Sequence, residues 1–274
     1  MSGEIVILAC LLVPAIGSVL VWLTGSRPNL RESVTLVTAG LLFCLVLIAV
    51  APVGGGARPE ATLIEMFPGL SLAFKIEPLG ATFALIASSL WILTSIYAIG
   101  YMRGHHEQNQ TRFFAFFALA IASTMGIAFA GNMLTLFTFY EVLSVCTYPL
   151  VTHSGTAEAK RAGRVYLGIL LGTSIGLQLF AIGYTWIAAG TLDFTDGGIL
   201  DGKISAGMAA VLITLYVFGI GKAAVMPFHR WLPAAMVAPT PVSALLHAVA
   251  VVKAGVFSVL KVAVYIFGID LLSS

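Results

Sequence analysis

GNMLTLFTFYEVLSVCTYPLV, residues 131–151, decides the fold. The run is long enough to cross the ~30 Å hydrocarbon layer of a bilayer as a helix, and its one formal charge is Glu141. A charge at the bilayer centre costs roughly 2.5–3.5 kcal/mol even on the lenient insertion scale. Lys222, His247 and Lys253 also fall inside apolar runs. Left dry and unpaired, the four groups together would cost on the order of 10 kcal/mol. Chains that carry ionisable groups at such depth use them, and the usual use is moving protons or ions.

The rest of the chain agrees with a membrane setting. Of 274 residues, 59% are hydrophobic and 9% charged, with a mean hydropathy of +1.01. Soluble domains carry about 25% charged residues. A net charge of +2 is too small to suggest a nucleic-acid partner. Cys10, Cys44 and Cys146 have neither metal-ligand spacing nor the pattern of a disulfide framework, and read as small apolar fillers.

Eight apolar stretches follow one another, at about 4–24, 33–51, 78–101, 112–130, 132–152, 162–189, 206–226 and 241–266. The first has no basic residues before it, carries Glu4, and runs too long for a secretory signal, so it reads as a transmembrane helix. The fold class is therefore all-α, an integral membrane protein of about eight transmembrane helices. Pro14 and Pro149 fall inside helices, where neighbours must satisfy the freed carbonyls. Loop charge alternates along the chain. Arg27, Arg31, Arg103, Arg112, Lys160, Arg161, Arg164 and Arg230 fall on one side, and Arg58, Lys75 and Lys203 on the other. The positive-inside rule puts the eight in the cytoplasm and both termini outside. In the loop at 52–77, Leu72, Phe74 and Ile76 alternate with Ala73, Lys75 and Glu77, which predicts a strand or hairpin arm on the outer surface.

Among the groups at depth, Glu141 reads as a proton-accepting carboxylate; the plainer alternative is a protonated carboxyl bonded to Tyr140 or Ser144. Lys222 follows Gly219 and Gly221 and precedes Pro227, so the seventh helix should break or bend just beyond the lysine, beside a hydrated, protein-lined spot. His247 and Lys253 share the eighth helix, where six residues place them about 240° apart and ~9 Å along the axis. A histidine both gives and takes a proton near neutral pH. Lys261, near the outer end, reads as a snorkelling lysine. His105, His106 and His153 read as solvated loop residues, and His229, beyond the break, as a possible point of proton entry. Phosphate-loop, dinucleotide, iron–sulfur and haem patterns are lacking: GIGKAA at 219–224 fails the phosphate-loop pattern. No catalytic residue, cofactor or metal is expected.

The runs GKAAVMPFHRWLPAAMVAPTPVSALLHAVAVVKAG (221–255) and FTFYEVLSVCTYPL (137–150) closely resemble proton-conducting antiporter-like subunits. These are the large membrane-arm subunits of NADH:quinone oxidoreductase (respiratory complex I), of multisubunit Mrp-type cation/proton antiporters and of membrane-bound hydrogenases. The flavour of RGHHEQNQTRFFAFFALAIASTMGIAF looks most like the D-type large subunit of an Mrp antiporter. The resemblance, over about residues 65–266, implies that Glu141 pairs with Lys222, and that His247 and Lys253 pass the proton on laterally. It implies partners that are other membrane subunits, protons and a monovalent cation as transported ions, and a location in the bacterial cytoplasmic membrane. It also implies a division into helices 1–3 (residues 1–111), a five-helix proton-conducting repeat with a broken seventh helix (112–266) and a terminal tail (267–274). The family's second inverted repeat is not in this sequence, which suggests a fragment or one half of a split subunit. A subunit of a quinone oxidoreductase holding no redox centre of its own, and a non-conducting structural subunit, are the alternatives.

Overall fold

The computed structural model describes residues 3–67, 69–244 and 250–273. Six helices in it are long and apolar enough to cross a membrane. They are α1 (Gly3–Leu23), α2 (Pro28–Val50), α3 (Pro78–Gly104), α4 (Gln110–Ala128), α5 (Met133–Val151), and α6 (Ala157–Thr173), which runs on through a π-helical segment, Ser174–Gln178, into α7 (Leu179–Ala189). Their starts follow local chemistry. Pro28 and Pro78 sit in the first turns of α2 and α3, where the missing N–H costs nothing. Asn132 Oδ1 caps α5 by accepting from Thr135 N at 2.8 Å, and Thr156 caps α6 by accepting from Ala159 N at 3.1 Å.

The seventh and eighth apolar stretches are not continuous helices. The seventh is α8 (Ala206–Gly219), a 3-10 turn at Gly221–Ala223, a second at Phe228–Arg230, and the short α9 (Trp231–Ala235). The break falls at Ile220, so Lys222 lies within it rather than before it. The eighth is α10 (Thr240–Ala244), then α11 (Val251–Lys261) and a π-helical segment at Val262–Phe267. The short α12 (Ile269–Ser273) follows. Residues 245–249, which include His247, lie outside the described residues.

The central post is α4, buried along most of its length from Phe113 to Ala128 and packed against α1 and α5. The outward faces are apolar: Ile187 is 81% exposed and Phe180 72%. Polar side chains gather at two ends. At one, Arg31 donates to Gln110 Oε1 (2.8 Å) and pairs with Glu32 (3.2 Å), Arg103 Nε donates to Glu32 Oε1 (2.9 Å), and Arg112 donates to the His153 carbonyl (2.7 Å). The loops after α1, α3 and α5 are thereby held together. At the other end lies the expected hairpin, complete with both arms, β1 (Glu60–Phe67) and β2 (Leu70–Lys75), antiparallel with Glu60 opposite Lys75. It is tied to the α4–α5 connection by Lys75 N to Phe129 O (2.7 Å) and Gly131 N to Ala73 O (2.8 Å). The 192–200 loop and residues 261–268 meet it there, through Phe194 N to Gly131 O (3.0 Å) and Ile199 N to Ile266 O (3.0 Å). The loops after α1, α3 and α5 thus meet at one end, and the hairpin, the α4–α5 connection and the 192–200 loop at the other.

Candidate functional site

Two glycines let the broken crossing pack backbone against backbone. A Cβ on Gly219 would lie 2.4 Å from Gln178 N, in the π segment between α6 and α7. A Cβ on Gly255 of α11 would lie 2.2 Å from Ala223 N and 2.4 Å from the Lys222 carbonyl carbon. Trp231 Nε1 donates to Gly221 O at 2.9 Å, and Ala224 is held at φ +54, a left-handed conformation uncommon for alanine. The turn carrying Lys222 is therefore fixed from several sides.

Inside it, Lys222 is fully buried. Its Nζ donates to Tyr140 O (2.8 Å) and Ser144 Oγ (2.5 Å) and stands 3.2 Å from the Tyr140 ring centroid; its backbone N–H donates to the Tyr140 hydroxyl (2.9 Å). Carbonyl, hydroxyl and aromatic face all favour a cation. Glu141, next along α5, is partly buried, and no donor reaches either carboxyl oxygen in good hydrogen-bond geometry. The Lys222 charge acts on it across space, and the Ser174 side chain bears on it as a loose hydrogen-bond neighbour. The expected pair is therefore drawn to one place, but it makes no ion contact within 4 Å among the described residues; the lysine bonds to α5 one residue before and three after the glutamate.

The other expected members lie apart. Lys253 stands exposed on the outer face of α11, in an apolar groove with Leu79, Phe83, Ile86 and Leu260. Gly255, two residues on, faces the Lys222 turn, and two residues are about 200° around a helix. His229 is partly buried in the Phe228–Arg230 turn, with its Nδ1 buried and unpartnered.

Two readings need correction. Lys261 does not snorkel: it is fully buried and pairs with Glu77 at 3.3 Å. His153 is not solvated: it is 3% exposed, and burial together with the Arg112 guanidinium holds its ring below the ordinary histidine value.

Residues 130–271 match the NADH:quinone oxidoreductase/Mrp antiporter transmembrane family, and residues 68–114 match the N-terminus of chain 5 of NADH-ubiquinone oxidoreductase (complex I). The chain belongs to this family. Among the family's members, chain 5 of the NAD(P)H-quinone oxidoreductase of Synechocystis sp. is 35% identical over 201 residues, covering 70% of this chain and 29% of that one. The chloroplastic subunit 5 of Ipomoea purpurea is 31% identical over 271 residues, covering 92% of this chain and 37% of that one. The chain spans about a third of the length of the curated relatives it matches. Two solved assemblies contain a chain of the same fold. A chain of the membrane-bound sulfane sulfur reductase, an archaeal respiratory membrane complex, superposes with TM-score 0.78 at 22% identity, covering 93% of this chain and 52% of that one. A chain of the Mrp complex from Dietzia sp. DQ12-45-1b superposes with TM-score 0.76 at 24% identity, covering 93% of this chain and 27% of that one. With six apolar spans among its described residues, this family member is an integral membrane protein. The stretch matching the family's transmembrane region contains Glu141, Lys222, Lys253 and Lys261.

Proposed function

We propose that this chain conducts protons as a membrane subunit of a multisubunit monovalent cation/proton antiporter. The observation that carries the reading is the enclosed Lys222, held in the broken crossing within electrostatic reach of a partly buried Glu141 that Ser174 alone approaches as a loose hydrogen-bond neighbour. A proton arriving from the basic-loop end, past His229, loads the Lys222/Glu141 site. The Ser144 hydroxyl accepts from the lysine ammonium and donates to the neutral amine, so Lys222 keeps a partner in both states. The proton then leaves for Lys253 by way of His247. Because Lys253 opens onto the outer face of the bundle, its receiver is a neighbouring segment or subunit. The membrane is the bacterial cytoplasmic one, with the basic-loop end inside.

The reading is tested by proton flux into liposomes holding the purified chain, driven by a potassium diffusion potential. Glu141→Gln and Lys222→Met should each lower flux by at least about tenfold while the protein stays folded. Wild-type flux in both would remove the relay.

A second reading makes the chain part of a quinone oxidoreductase, and the relatives at 30% identity or more, which are chain 5 proteins of that enzyme, favour it. Affinity purification from the native membrane separates the two. Co-purifying flavin and iron–sulfur subunits favour the oxidoreductase, and small hydrophobic subunits alone favour the antiporter.

A further inference from the structure

A second buried charge pair, Lys261 and Glu77, lies at the hairpin end and takes no part in the relay above. Lys261 is 0% exposed and Glu77 2%. The ammonium donates to Ala130 O and faces the rings of Phe194 (4.4 Å), Phe257 (5.7 Å) and Tyr265 (6.0 Å). It stands 3.3 Å from Glu77 Oε2, and the Tyr265 hydroxyl also bears on Glu77, so the carboxylate is held by long, loosely aligned contacts. Lys75 and Asp196 act on Glu77 from the hairpin and the 192–200 loop, and Arg58 acts on Tyr265.

Anchoring the hairpin does not account for this pair. Backbone bonds from Lys75 and Gly131, and Asn132 Nδ2 to Ser71 O at 2.8 Å, already fasten it. Buried ion pairs are weak stabilisers that apolar residues often better.

Its position is more telling. Along α11 the buried residues Ala254, Gly255, Ser258 and Lys261 form one stripe. At its lower end Gly255 touches the Lys222 turn; midway, Ser258 supplies a buried hydroxyl. At its upper end a largely polar cleft of about 280 Å³ opens between Thr62, Ser71, Lys75, Gly131, Asp193 and Phe194. Phe194 both walls the cleft and covers the Lys261 ammonium, and Ala130, which holds that ammonium, adjoins Gly131 of the cleft.

We propose that Lys261 and Glu77 form a proton-release site through which this repeat opens at its hairpin end. The inference rests on Lys222 being a proton carrier. The Lys261 ammonium gives a proton to the Glu77 carboxylate, leaving a neutral amine beside a neutral acid. The acid passes that proton to water in the cleft and returns to carboxylate. The amine takes the next proton from the Lys222 site along the stripe, a branch separate from the one toward Lys253. The Ser258 hydroxyl, which donates to Ala254 O at 2.7 Å, turns off that carbonyl to pass it. One proton enters and one leaves per cycle. The pair carries zero net charge before and after the internal transfer and −1 only between release and reloading, so the buried charge is uncompensated in that one state alone.

The test uses the reconstituted full chain with two readouts, proton flux and a pH titration of the protonated-carboxyl band by infrared difference spectroscopy. Glu77→Gln and Lys261→Met should each lower flux by at least about tenfold. The wild-type band should titrate, vanish in Glu77→Gln, and persist without pH dependence in Lys261→Met. Wild-type flux in both variants, with flux lost in Lys222→Met, overturns the release site and leaves the relay standing. Should wild type conduct nothing, the relay fails, and the infrared titration decides the pair alone: a Glu77 that never protonates overturns it. Should the Gln and Met variants not fold, wild type and Glu77→Asp decide. A titrating band that shifts on substitution supports the site, and no such band overturns it.

Discussion

Tyr140 holds Lys222 three ways, through its carbonyl, its hydroxyl and its ring. Tyr140→Phe keeps the carbonyl and the ring but strands the buried Lys222 N–H, so it should cost about 1–3 kcal/mol of stability, measured by denaturant unfolding in detergent. His153 gives a pH-dependent counterpart. Its folded-state value is depressed, so its contribution is intact above the unfolded value near 6.5 and is lost as pH falls below it. The melting temperature should therefore drop between about pH 7.5 and about pH 5.5, and His153→Phe should flatten that fall. Glu141 and Lys222 were legible because a charge in an apolar run needs no partner to be noticed. Lys261 was not: its partner sits in a different apolar neighbourhood, just after a strand whose alternation spoke only of an outer surface. His153 was missed because loop position says nothing of what folds over the loop, here Arg112 and the Phe113 ring.

Among elements, the break in the seventh crossing followed from Gly219, Gly221 and Pro227, though it falls at Ile220 rather than beyond the lysine. The glycines act less as flexible points than as absent side chains that admit another backbone. Gly255→Ala should therefore destabilise by about 1–3 kcal/mol through overpacking and lower flux with it, because the colliding atoms are backbone of the Lys222 turn. Gly168→Ala, on an exposed face of α6 with open space around it, is the control and should stabilise by up to about 1 kcal/mol. Thermal unfolding of the two variants in detergent checks both. The two π segments, Ser174–Gln178 and Val262–Phe267, left no mark in the periodicity. One extra residue per turn does not disturb an apolar run that is greasy on nearly every side.

Over the whole molecule, polar chemistry is sorted to two ends, and the basic one depends on Glu32. Glu32 is 5% exposed and bonded to both Arg31 and Arg103. Glu32→Gln leaves Arg31 buried without its counter-charge and should cost about 3–5 kcal/mol, seen as loss of folded protein from membranes. Orientation is checked by cysteine labelling in a background lacking Cys10, Cys44 and Cys146. Ser154→Cys should react with an impermeant maleimide only in inside-out vesicles, and Leu63→Cys on the hairpin only in right-side-out ones. The charge alternation that predicts this was readable along the whole chain, whereas the contacts that join the loops at each end required the fold.

The climb of α11 from Gly255 to Lys261 is six residues, about 9 Å, or roughly a third of a ~30 Å hydrocarbon layer. A membrane voltage of ~100 mV is worth about 2.3 kcal/mol per elementary charge over the full thickness. A proton stepping along this stripe would feel roughly 0.7 kcal/mol of it, about a threefold bias between its two stations. On the proposed release route the helix would act as a short voltage divider, and the balance of occupancy between Lys222 and Lys261 should tilt with the electrical state of the membrane even at fixed pH.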